Sequence, residues 1–124
     1  MIQANTQELL SIARDTLLEK VLPQVDRDIS YQVRMIANAI GIAAREMEDA
    51  DRCAAEEQSV LLGLLGGQQS TRSTLEQRWQ LCQLIESGCF DDGDQRQRLI
   101  QGLRAITIAH LRISNPKLLK NVNE

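Results

Sequence analysis

YQVRMIANAIGIAARE, residues 31–46, decides the fold. At about 100° per residue, Val33, Ile36, Ala37, Ile40, Ala43, Ala44 and Met47 gather on one side, the period of a helix and not of a strand. Arg34, Asn38, Gly41 and Arg45 line the flank. Asn is a poor residue for a helix interior, because its side chain competes for backbone groups, so this polar stripe needs a reason.

The same period extends outward. Asn5, with Glu8 three residues on, has the form of a capping box; Leu9, Leu10, Ala13 and Leu17 follow as an expected buried face, and Pro23 stops the first helix. From Ser30 to Leu62 there is no proline and one glycine, Gly41. The apolar stripe fades in EMEDADR, residues 46–52, so a bend or short break is expected near residues 49–53. GGQQSTRS, residues 66–73, reads as a loop that ends in a second cap, Ser73 with Glu76. Leu75, Trp79, Cys82 and Ile85 then repeat at helical spacing as far as Gly88. Asp91, Asp92 and Asp94 favour the start of a last helix, whose face is Leu99, Leu103, Ile106, His110 and Ile113, and SNPKLL, residues 114–119, ends it. No segment reads as a strand. The expected fold is all-α, an up-and-down bundle of four to five helices in a single domain over residues 1–124.

Composition agrees and excludes several function classes. Hydrophobic residues make up 43% of the 124 and aromatics only 2%, so the core is aliphatic; Leu, Ile and Ala dominate it, Val is scarce and Gln abundant, a balance that favours helices over strands. A net charge of −3 argues against general nucleic-acid binding, and one Trp, one Tyr and one Phe make no stacking platform for bases. No apolar run reaches the length of a membrane span, and the N-terminus lacks the basic start and apolar stretch of a secretion signal. Cys53, Cys82 and Cys89 are odd in number and lack Cys-x-x-Cys spacing, which predicts reduced thiols, no metal and a cytoplasmic location.

Catalytic chemistry has little to stand on. His110 is the only histidine, flanked on its helix by Ile106 and Ile113, and reads as a core residue bonded to a backbone carbonyl. Carboxylate pairs such as Glu46 with Asp49, or Glu56 with Glu57, lie in polar runs and read as solvent-exposed. GLLGG, residues 63–67, lacks the Lys-Ser/Thr of a phosphate loop and closes a helix instead of opening one. No catalytic residue, metal ligand or cofactor is assigned. The best constellation is Tyr31, Arg34, Asn38 and Arg45. It is either a polar seam between helices, the preferred reading, or a surface whose guanidiniums hold an anion bidentately.

Three segments also carry a resemblance. ELLSIARDTLLEKVLPQV, YQVRMIANAIGIAARE and LRAITIAHLRISNPKLL together resemble a family of small bacterial helical proteins classed as a domain of unknown function. The most specific parts are Arg34, Asn38, Arg45-Glu46 and the Asn115-Pro116 ending; Leu118 and Leu119 stand where members usually carry an aromatic. Members are commonly encoded beside, or fused to, kinases of the aminoglycoside-phosphotransferase type and near acyl-CoA dehydrogenases. The resemblance therefore implies an accessory or interaction protein that docks on such a kinase or acyl-CoA-related enzyme. The competing expectation is a small-molecule module or enzyme gripping a phosphate or acyl-CoA group with Arg34, Asn38 and Arg45. A homodimer is also expected, through second apolar stripes such as Leu9, Leu10 and Leu17 or Ile100 and Leu111.

Overall fold

The computed structural model describes residues 5–67 and 72–121, and their regular structure is all helical. Helix α1, Thr6–Thr16, starts where the Asn5 side chain accepts from the Gln7 N–H at 3.1 Å. It loosens into a π turn, Leu17–Val21, and a 3-10 turn, Leu22–Gln24, around Pro23, whose missing N–H cannot extend an α-helical ladder. Leu10, Arg14 and Leu17 face inward and are half-buried, whereas Leu9 is 54% exposed and Ala13 is exposed as well. The inner face of α1 is thus turned from the expected one.

Helix α2, Arg27–Leu64, is one unbroken helix of 38 residues, about 57 Å long at 1.5 Å per residue. The break expected near residues 49–53 is absent. Its buried positions explain why: Val33, Ala37 and Gly41, then Cys53, Glu57 and Leu61, all fall on one row stepping by four, with half-buried Arg45 and Asp49 between them. Such a row drifts about 40° per step, so Ala37 and Glu57 face directions about 200° apart. The N-terminal half meets α1, where Arg14 lies against Gly41, and the C-terminal half meets the later helices, where Arg78 and His110 reach Glu57. The polar run at residues 46–52 marks the handover between neighbours. There Arg45 already reaches across, its Nε donating to the Ile113 carbonyl at 2.7 Å.

Helix α3, Thr74–Glu86, is capped by Ser73, whose hydroxyl accepts from the Glu76 N–H at 3.2 Å. It closes at Gly88, whose φ of 87° lets the Cys89 N–H return to the Leu84 carbonyl at 3.2 Å. Helix α4, Gly93–Ser114, then runs antiparallel to the second half of α2, with Arg98 donating to the Gly63 carbonyl at 2.8 Å near one end and Arg112 reaching Glu56 near the other. A 3-10 turn, Pro116–Asn121, follows. The fold is all-α, as the periodicities require. Directions do not alternate throughout, because α3 runs the same way as α2: Arg78 meets Glu57, and Leu81 packs with Leu61. The core is Leu61, Leu81 and Phe90, ringed by Leu64, Leu65, Leu84, Leu99 and Ile106. It lies at the C-terminal end of α2.

Candidate functional site

The polar flank divides. Tyr31 is 66% exposed and Arg34 is exposed with no hydrogen bond or ion pair among the described residues, so neither joins a network. Asn38 and Arg45, by contrast, line a hollow of about 330 Å³ together with Arg14 of α1 and Asn115, Pro116 and Lys117 beyond α4. Only Arg45 shows the seam behaviour expected of the stripe, through its bond to Ile113. Two partners in the hollow, Arg14 and Lys117, were not readable from the stripe. A signal existed in Gly41: a Cβ there would lie 3.3 Å from both Arg14 Nε and Arg45 Nη1, so this glycine in the interior of a long helix marks a close approach.

A second cluster forms where α2, α3 and α4 meet. Glu57 is buried, 4% exposed, and overturns the expectation that the carboxylates of its run face solvent. Its carboxylate accepts from Arg78 Nε and, at 2.8 Å, from Arg78 Nη2. His110 Nε2 lies 3.0 Å from Glu57 Oε2, and with Glu57 ionised this nitrogen must carry the proton and donate. His110 is therefore neither a core residue nor bonded to a carbonyl, since half of its side chain is in solvent. Arg78 and then His110 hold the Glu57 carboxyl below the usual range against the opposing effect of burial. Beside it, burial first and then the charges of Glu57 and Glu56 push the Cys53 thiol up. A general base needs a raised carboxyl and a nucleophile a lowered thiol; both groups are displaced the other way. The cluster ties three helices together. Among the described residues no three His, Cys, Asp or Glu side chains gather as a metal site, and no helix is long and apolar enough to cross a membrane.

The third feature is the outer face of α3. Leu75 and Trp79, one turn apart, are 74% and 67% exposed, and with exposed Cys82 they form the apolar part of a hollow of about 600 Å³ that Arg72, Glu76, Arg78, Gln80 and Gln83 also line. On the inner side sits Gln77, fully buried, with neither amide atom hydrogen-bonded. The helix thus turns Leu75 and Trp79 to water, while the amide of Gln77 sits inside with Leu81 and Leu84. Periodicity found the stripe Leu75, Trp79, Cys82 and could not say which way it points.

The class defined by these features is a small all-α bundle with an open apolar face and a cationic hollow at its other end. The chain belongs to the family described as Domain of unknown function (DUF6285), which matches residues 23–118. That span takes in α2, α3, α4 and the Asn115-Pro116 turn, and leaves out α1. No curated protein and no solved structure is significantly similar to the chain.

Proposed function

We propose that the chain is a helical accessory protein that docks on a larger enzyme through the outer face of α3. The observation that carries this reading is Trp79, 67% exposed beside Leu75 on an apolar hollow that is rimmed by Arg72, Glu76 and Arg78. An exposed aromatic anchor within a charged rim has the anatomy of an interaction hot spot.

Partner class follows from the resemblance: a kinase of the aminoglycoside-phosphotransferase type or an acyl-CoA dehydrogenase, in the cytoplasm, where three free thiols persist. A second copy of the chain covers Leu9 of α1 and Ile100 of α4, which are 54% and 56% exposed. The chain itself carries no catalytic group in this reading, because Glu57 is occupied by two donors and Cys53 is kept protonated.

Sedimentation velocity of the chain mixed with the source genome's kinase of that type, and separately with its acyl-CoA dehydrogenase, tests the proposal. One mixture is expected to give a faster boundary at micromolar concentration, and Trp79→Ala to weaken the complex about a hundredfold, the loss of a hot-spot residue. Independent sedimentation in both mixtures at tens of micromolar would remove these partners.

A further inference from the structure

The hollow at the other end of the bundle points to a ligand of its own. We propose that it binds a small phosphate monoester, with Arg14, Arg45 and Lys117 on the phosphate and Met35 and Ile42 against the carbon portion.

Convergence is the first argument. Arg14 comes from α1, Asn38 and Arg45 from α2, and Asn115 and Lys117 from the turn beyond α4, so three distant segments bring cations and amides to one place. The lining holds three cations and no carboxylate, in a chain whose net charge is −3. Arg14 and Arg45 come together over Gly41, each 3.3 Å from where a Cβ would stand. Like charges held this close repel, and an anion between them turns the repulsion into two attractions.

The arrangement is also prepared. Arg45 is anchored by its Nε bond to the Ile113 carbonyl at 2.7 Å, while its Nη1 lies toward Gly41. A guanidinium fixed at one edge presents the other as a fork for oxyanions. Among the described residues, neither Arg14 nor Lys117 has its side chain engaged in a hydrogen bond or ion pair. Asn38 and Asn115 add amide donors, which suit the oxygens of a tetrahedral anion.

Charge and volume choose the ligand. A phosphate monoester carries about −1.5 to −2 at pH 7, a better match to three cations than the single charge of a carboxylate. The hollow of about 330 Å³ exceeds what a bare phosphate fills, and Met35 and Ile42 give the excess room an apolar wall. The site shares no residue with the α3 face, so either proposal can fail alone.

Isothermal titration with glycerol 3-phosphate, inorganic phosphate and glycerol tests it. Glycerol 3-phosphate is expected to bind, more weakly as salt rises, and glycerol not to bind. Tighter binding of the ester than of inorganic phosphate supports the full proposal. Equal binding would overturn the role of Met35 and Ile42 and leave a phosphate site. Arg14→Gln should weaken binding at least tenfold while the ligand-free protein melts no lower than the parent, because a repulsion has been removed. Lys117→Gln, on an exposed turn, is the second variant and should weaken binding without loss of folding. Absence of binding by both phosphates at millimolar concentration, or binding that survives both substitutions, would overturn the site.

Discussion

Glu57 concentrates the physical chemistry of the bundle in one side chain. A buried carboxylate is tolerated only when donors surround it, and here two helices supply them, Arg78 from α3 and His110 from α4. Arg78→Ala should cost about 1–2 kcal/mol, less than for a wholly buried pair because half of Arg78 is in solvent, and lower the melting temperature by about 4–8 °C. The pH dependence has a definite sign. With its folded pKa depressed, Glu57 stabilises the native state above the unfolded value near about 4.3, and that contribution is lost as pH falls through the lower folded value. The stability gap between the parent and Glu57→Gln should therefore be greatest at neutral pH and shrink below about pH 4, as read from urea melts across pH. Gln77 predicts the reverse kind of mutant. Both ends of its buried amide lack partners, so Gln77→Leu should raise the melting temperature by about 4 °C or more, the return of about 1 kcal/mol. An unchanged or lower melting temperature would mean that the amide is satisfied in solution.

Helices carry the information that the sequence makes plain and also the part it hides. Caps at Asn5 and Ser73, the stop around Pro23 and the turn at Gly88 were all readable, because each depends on chemistry within a few residues. The continuity of α2 was not. Its stripe fades at residues 46–52 only if one flat face is expected, whereas a row stepping by four winds around the helix and serves two sets of neighbours. The direction of Glu57 and of the Leu75, Trp79 stripe was hidden for a similar reason: a helical period fixes which residues share a face and not what that face meets. The hollow was half readable, through Asn38 and Arg45, and its other cations come from segments distant in sequence. If α2 is one rigid rod, Ala50→Pro, at an exposed position in its middle, should cost about 3 kcal/mol or more and lower helicity in circular dichroism. A variant that melts like the parent would restore the bend near residues 49–53.

Taken whole, the molecule is a long rod, α2, with α1 against one end, α3 and α4 against the other, and apolar side chains left facing water on several sides. Burying Trp79 and Leu75 against another protein would remove the most exposed of them, and replacing either with a polar residue should leave the isolated chain's stability within about 0.5 kcal/mol, as for other surface changes. Cys82 makes the same face measurable without any substitution. It is exposed and lines the α3 hollow, whereas Cys89 is exposed and lies outside it, and Cys53 is buried with a raised thiol pKa. In the purified, dilute chain a maleimide should label Cys82 and Cys89 readily and Cys53 slowly. In gently opened source cells, with the assembly intact, mass spectrometry should find Cys82 protected while Cys89 still reacts. Equal labelling of Cys82 and Cys89 there would contradict an accessory protein docked through α3.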